Sequence, residues 1–385
     1  MASLAESRWQ DLAGQPHDER DAGGDPWPWV IAGTILAVLG CWKWTASDFL
    51  SFYSAASRLA RGGPDPFAPV DTPDGLVTCL LPPHALMLIA PLTAFPASAA
   101  IRFWQVLSAA LFAWSVRVIV RRTGWPRPAG WMIAALVWSP TISYTLLAGQ
   151  FTAALLPVAL GVWIGTREER PWLAGVCFGI LASVKPFVWP FAVWWGWRRW
   201  WRALLASVAG MLVTITAGLL WAGVEGYREW LEALASVSWV NAPINASWFA
   251  LAQRVPGMSA VTVIGVAVIA ACTARAVYTL RQSDHIQLAL WLAAILLSPL
   301  GWLYYAPWGW GPLFAWLRQH EWPRLAWLLW LHPLVFVPAG DHPLVTITIG
   351  SAYVYGMVVL WWRVTVSDDA CLRASPAPSE RRSRY

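Results

Sequence analysis

Apolar runs of about twenty residues recur along nearly the whole chain, and that is the length a helix needs to cross the hydrocarbon core of a bilayer. With 58% of its 385 residues hydrophobic and 12% charged, the chain carries roughly half the charge of a soluble domain. The fold class this sets is all-α: a polytopic helical membrane bundle. Hydropathy draws the spans as Trp27–Ala46, Leu80–Pro96, Ile101–Val120, Ala129–Leu147, Phe151–Gly165, Pro171–Trp197, Trp201–Trp221, Met258–Leu280, Ile286–Leu303, Ala306–Leu317, Leu325–Val337 and Leu344–Val364, or about twelve in all. Several are short enough to be re-entrant or tilted. No internal repeat stands out, which disfavours an inverted-repeat transporter.

Residues 1–26 are acidic, contain Gly and Pro, and read as a disordered tail. They lack the basic n-region of a signal peptide, so Trp27–Ala46 reads as a retained span. Residues 27–366 then form the membrane domain and 367–385 a basic tail. The formal net charge of +6 calls for no nucleic-acid partner, because the basic residues sit in short clusters between apolar runs, as cytoplasmic loops require. Arg198, Arg199 and Arg202 form one cluster, Arg275 and Arg281 a second, Arg318 and Arg324 a third, and the tail after Ser379 a fourth. Twelve spans with both termini inside place all four on the cytoplasmic side. RRTGWPRP, with Arg121, Arg122 and Arg127, would then fall outside. Either Leu80–Pro96 does not fully cross or this loop breaks the rule.

The 32 tryptophans fit interfacial anchoring first, although their faces also stack on sugars. The five cysteines are scattered with no CxxC pair, so neither a disulfide framework nor a metal cluster is expected. His332 and His342 each precede Pro and read as interfacial turn residues rather than metal ligands. No HExxH, Gly-rich phosphate loop or nucleophile elbow occurs, and no cofactor is expected.

Two long loops, Ser47–Cys79 and Ala222–Gly257, lie on the outer face in this layout, and loops on a rigid bundle are where function concentrates. The first opens with SDFLSFYSAASRLARGGPDPF. Phe49, Phe52, Tyr53, Ala56 and Leu59 recur at helical spacing opposite Ser51, Ser54, Ser57, Arg58 and Arg61, an amphipathic helix for the membrane interface. Gly62, Gly63, Pro64 and Pro66 end it. Asp48 at its start is either an N-cap or a general base in a partly dry site. Lys185 lies inside a span, before Pro186. It either snorkels to an interface or faces an anion such as a phosphate head group. His84, Gln150, Asn245 and Ser247 are further polar candidates at loop ends.

These motifs, taken in order, resemble the bacterial membrane glycosyltransferases of family 87, whose members include polyprenyl-phosphate-mannose-dependent mannosyltransferases. Asp48-Phe49 followed by Phe52-Tyr53, a helix and a Gly/Pro turn begins the series. LPPHALMLIAPLTAF with Trp104 follows, then Gly149-Gln150, Lys185-Pro186 trailed by RRWWR, Asn245-Ala-Ser247, and Ser298-Pro-x-x-Trp302. The match runs from Asp48 to about Trp310, and its weight lies in the order and spacing of the motifs.

The resemblance implies a GT-C-like fold with an outward-facing site in a bacterial plasma membrane. It implies inverting transfer of a hexose, mannose first, from a polyprenyl-phosphate donor to a lipid or glycan acceptor, among membrane lipids. Asp48 would be the acidic catalytic residue. Lys185 with Arg58 would hold the donor phosphate, and His84, Gln150, Asn245, Ser247 and Tyr304 would line the substrates. The chain departs from the family after Trp302, where a histidine is usual and Leu303-Tyr304-Tyr305 stands here. A phenol of reference pKa about 10 is a poor acid–base substitute. A lipid or solute transporter, or a family member without full catalysis, are the other readings open at this point.

Overall fold

The computed structural model describes residues 46–73, 75–124, 139–237, 240–254, 257, 259–280, 282–331 and 343–366. Both tails, nearly all of Trp27–Ala46, most of Ala129–Leu147, the end of Leu325–Val337, Arg127, Arg281, His332 and His342 lie outside these residues.

A left-handed Ala46 (φ 50°) leads into α1, Ser47–Arg61, which Gly62 closes at φ 63° by donating to the Arg58 and Leu59 carbonyls. No side-chain cap is made at the start of α1, so Asp48 stands in its first turn without capping it. A small antiparallel hairpin follows, β1 Val70–Thr72 against β2 Gly75–Val77.

Leu80–Pro96 is not a spanning helix. It holds the four-residue α2, Pro83–Leu86, and a five-residue 3-10 turn, Ala90–Ala94. Pro82, Pro83, Pro91 and Pro96 deny the segment the amide donors and backbone room that a continuous helix needs. The chain then runs through α3 Ala97–Thr123, α4 Pro140–Ala148, α5 Thr152–Arg167, α6 Pro171–Val184, α7 Pro190–Trp197 and α8 Trp201–Ala235. After these come α9 Trp248–Arg254, α10 Ser259–Thr279 and α11 Ser283–Leu296. A 3-10 helix at Leu303–Gly309 precedes α12 Trp310–Leu317, and another spans Arg324–Trp330. Finally α13 Pro343–Ile347 and the 3-10 turn Ile349–Ser351 lead into α14 Ala352–Val366.

Among the described residues four helical stretches are long and apolar enough to cross a membrane: Ala97–Thr123, Trp201–Ala235, Ala260–Thr279 and Val345–Val366. The chain is a helical membrane protein.

Small residues set the packing, as they do where lipid removes the hydrophobic drive between helices. A methyl at Gly165 would lie 2.5 Å from the Ala174 amide, and one at Gly161 would strike Cys177, so α5 and α6 pack antiparallel at backbone range. Gly175 and Gly179 bring α6 equally close to Ala203 and Ser207 of α8, with numbers rising together, so those two are parallel.

The segment Pro171–Trp197, expected as one span, folds back on itself. Phe178 and Trp195 meet edge-to-face at 5.1 Å, whereas residues seventeen apart on one straight helix stand about 25 Å apart. Arg198 returns to Glu169 at 3.9 Å, beside the start of α6. The turn is Lys185-Pro186 and the 3-10 helix Pro186–Val188. Proline at 186 removes the next amide donor and turns Lys185 out of helical geometry (φ −138°, ψ 84°). α8 also bends, at Gly223 (φ 67°), so that the Tyr227 hydroxyl reaches back to the Ile215 carbonyl at 3.3 Å.

With Leu80–Pro96 broken into short turns and Pro171–Trp197 folded back on itself, the ends of α3, α5, α7 and α12 gather at one end of the bundle. There Arg122 pairs with Glu168, which also receives Arg170 at 3.2 Å. Arg167 meets Asp284 at 3.7 Å, and Arg318 donates to the Thr123 carbonyl at 2.6 Å. Arg121 and Arg122 therefore share an end with the Arg198 and Arg318 clusters.

Tryptophan is used differently from the expectation as well. Trp163, Trp195, Trp291, Trp308, Trp316 and Trp361 are fully buried core residues, while Trp114, Trp172, Trp189, Trp197, Trp201 and Trp327 face outward.

Candidate active site

The opposite end of the bundle collects most of the quoted motifs, while RRWWR stays at the arginine-rich end. Gly149, at the close of α4, has φ 70°, and a methyl on it would lie 2.6 Å from the Phe49 Cβ. Glycine alone lets the α4–α5 turn press against the start of α1. The Trp104 ring of α3 wedges into the same place. It stacks on Phe49 at 5.5 Å and on Phe151 at 5.6 Å, and its Nε1 donates to the Gly149 carbonyl at 3.0 Å. Three motifs far apart in sequence thus form one clamp. Its product is a hydrogen bond from Gln150 Nε2 to Asp48 Oδ2. Asp48 is half-buried while Phe49 beside it is fully buried. The carboxylate is therefore oriented by its neighbours.

Lys185 sits at the tip of the α6–α7 hairpin, half-buried, at the carbonyl-rich C-terminus of α6. A cation is favoured there. Its Nζ lies 5.3 Å from the centre of the Tyr305 ring, a cation–π contact. Tyr305 stacks on Trp308 at 4.9 Å, and Trp308 Nε1 donates to the Thr152 carbonyl at 3.1 Å, two residues from Gln150. That places the cation at the same end of the bundle as the carboxylate.

Tyr304 forms an aromatic wall at the same end. It stacks on Tyr144 at 6.1 Å and on Trp302 at 5.8 Å, and meets Tyr305 edge-on at 4.8 Å. Phe187 and Trp308 extend the wall beneath Tyr305, at 5.0 and 4.9 Å. At 6% exposure Tyr304 is a packed side chain, not a solvent-facing acid.

Arg58, His84, Asn245 and Ser247, the other expected site residues, each have side-chain partners. Arg58 lies ten residues beyond Asp48, or about 15 Å along the helix. It donates Nη1 to the Asp65 and Ala68 carbonyls and so closes the loop behind α1. His84 places Nδ1 2.8 Å from the Tyr227 hydroxyl, over Gly218 of α8.

Asn245 and Ser247 are fully buried. Asn245 donates to the Val240 and Pro299 carbonyls at 2.9 and 2.7 Å and accepts from the Ser247 amide. Ser247 accepts from the Ala250 amide within α9. They brace the segment that carries Tyr304. Tyr144 and Tyr305 are not singled out by the sequence. Tyr305 has a signal in its adjacency to Tyr304, whereas Tyr144 has none.

Comparison with known proteins agrees with this assembly of motifs. The sequence profile of Glycosyltransferase family 87 matches residues 80–303. A polyprenol-phosphate-mannose-dependent alpha-(1-2)-phosphatidylinositol pentamannoside mannosyltransferase of Mycobacterium tuberculosis is 29% identical over 263 residues, covering 64% of this chain and 59% of the relative. The protein of the same description from Mycolicibacterium smegmatis is 27% identical over 315 residues, covering 75% of each chain. The match thus spans about three-fifths of the first relative's length and three-quarters of the second's. No solved structure matches. With more than half of its length matched by the family profile, and with Asp48, Trp104, Gln150 and Lys185 gathered at one end of its bundle, the chain belongs to glycosyltransferase family 87.

Proposed function

We propose that this chain transfers a mannosyl residue from a polyprenyl-phosphate donor to a hydroxyl of a lipid or glycan acceptor, at the bundle end that carries Asp48 and Lys185. The observation that carries the reading is a half-buried carboxylate fixed by Gln150 at the same bundle end as an ammonium at a helix break, the two linked through Tyr305 and Trp308, whose Nε1 donates to the Thr152 carbonyl two residues from Gln150. Both curated relatives are described as using polyprenol-phosphate-mannose, which agrees with a site built from apolar helices.

The chemistry follows from the two charges. Asp48 takes the proton of the acceptor hydroxyl as its oxygen bonds to the anomeric carbon. The bond from that carbon to the phosphate oxygen breaks, and the electron pair leaves on the phosphate. Lys185 stabilises the growing negative charge there, an electrostatic role favoured by a low-dielectric site. A single displacement inverts the anomeric centre. Trp302, Tyr304 and Tyr305 are buried and back Lys185, and Tyr144, the half-buried member of the wall, offers a ring for the polyprenyl chain or the sugar. Lys185 alone takes the phosphate role here, since Arg58 is occupied with backbone carbonyls.

The positive-inside tendency makes the end bearing Arg122, Arg198 and Arg318 cytoplasmic, which puts the reaction on the outer face of a bacterial plasma membrane. The test is transfer by purified protein from labelled polyprenyl-phosphate-mannose into a membrane-lipid extract. Asp48→Asn should remove turnover while leaving the protein folded. A variant that turns over like wild type would sink the assignment, and movement of label across liposomes without a new product would support a transporter.

A further inference from the structure

A buried cation that the reaction scheme does not use stands behind the aromatic wall. Arg254, the last residue of α9, is 6% exposed. Its Nε donates to the Asn241 carbonyl at 2.8 Å, its Nη2 to the Asn245 carbonyl at 2.8 Å and to that of Ala242, and its Nη1 to the Ser351 hydroxyl at 3.2 Å. Four acceptors from two separate parts of the chain are gripped by one planar fork. Burying a guanidinium carries a large desolvation cost unless it is fully hydrogen-bonded. An apolar residue would fill the same volume without that cost. The fork supplies direction in return: its donors lie in one plane at fixed angles, so the 241–245 loop has a defined position relative to Ser351 at the head of α14.

That loop passes its position straight to the site. Asn245 forms an isolated antiparallel bridge with Trp302. The Ala246 amide donates to the Gly301 carbonyl at 2.8 Å, and the Leu303 amide donates to the Ile244 carbonyl at 3.0 Å. The Asn245 side chain holds the Pro299 carbonyl. A methyl on Gly301 would lie 2.0 Å from the Ile295 carbonyl oxygen, so the strand is seated against the end of α11 as well. The next residues are Tyr304 and Tyr305, and Tyr305 carries the Lys185 ammonium on its face.

We infer that Arg254 is a positioning residue for transfer: through the 244–246 and 301–303 bridge it sets where Tyr305, and with it Lys185, meets the donor phosphate. This rests on the functional reading above. It adds a residue that touches neither substrate and lies in none of the motifs that carried the resemblance.

The test compares wild type with Arg254→Lys, which keeps the charge but loses the fork, and with the milder Ser351→Ala, which removes one acceptor. Two readouts are taken on purified full-length protein. The first is amide hydrogen exchange over residues 299–305, and the second is the KM for polyprenyl-phosphate-mannose per folded molecule, alongside the acceptor KM. Exchange at 301–303 should quicken about tenfold in Arg254→Lys and less in Ser351→Ala, with the donor KM raised several-fold and the acceptor KM unchanged. Unchanged exchange at 301–303 in both variants overturns the inference. So does a loss confined to the folded fraction with normal KM, which is what a scaffold role alone produces. Exchange is read whether or not the chain turns over this donor. Absent wild-type turnover therefore counts against the functional reading, and unchanged exchange counts against Arg254.

Discussion

Gln150 donates its side-chain amide to the Asp48 carboxylate across 102 positions of sequence. The contact exists because Gly149 lets the α4–α5 turn touch Phe49 and because Trp104 is stacked between Phe49 and Phe151. A substrate-lining role was expected of Gln150; its observed contact is with the candidate base. Replacing it with Leu removes a hydrogen bond to a charged group, an interaction of about 1.5–3 kcal/mol. Turnover should fall roughly ten- to a hundredfold with the donor KM little changed. Steady-state transfer assays on Gln150→Leu check this, and a change confined to KM would restore the lining role.

Gly149→Ala should cost stability before it costs chemistry. The new methyl meets Phe49 at 2.6 Å on a backbone at φ 70°, which combines overpacking with left-handed strain at about 1–3 kcal/mol each. A thermal-unfolding shift in detergent measures it. An unchanged midpoint would mean that the clamp is looser than drawn.

Lys185→Gln should raise the donor KM and lower turnover together, because a cation that meets the phosphate acts before and during its departure. Lys185→Arg keeps the charge and should recover part of both. The break at Pro186 is separate from the charge, so both variants should fold. Equal kinetics for Gln and Arg at this position would remove the phosphate role.

Tyr304→Phe should keep most of the activity. The ring is the part that packs on Tyr144 and Trp302, and losing the hydroxyl costs about 0.5–1.5 kcal/mol at most. Tyr304→Ala opens a cavity in the wall, at about 3–5 kcal/mol for an aromatic ring, and should be severely impaired. A dead Tyr304→Phe would make the phenol a participant in place of the family's usual histidine.

The re-entrant hairpin and the broken Leu80–Pro96 segment make a prediction about sidedness. In a background without the native cysteines, Arg121→Cys and Arg199→Cys should label from one face of sealed vesicles, and Asp65→Cys from the other. All three positions are exposed. Labelling of Arg121→Cys from the same face as Asp65→Cys would restore Leu80–Pro96 as a crossing.

What the sequence determined by itself was the solvent and the parts. Apolar run lengths set a helical membrane protein, because a lipid-buried backbone has no other partner for its amides. The periodicity of Phe49, Phe52 and Ala56 set α1, and the ordered motifs pointed to the family and to Asp48, Gln150 and Lys185. Run length could not say whether Pro171–Trp197 crosses once or turns back, since a hairpin and a span share one hydropathy. The contact of Phe178 with Trp195 decided it. Nor could local pattern say what a polar side chain would meet. Asn245 and Ser247 became a brace, Arg58 a loop clasp and Arg254 a buried fork, because each donor is satisfied by carbonyls that arrive from other parts of the chain. Those partners exist only once the helices have packed.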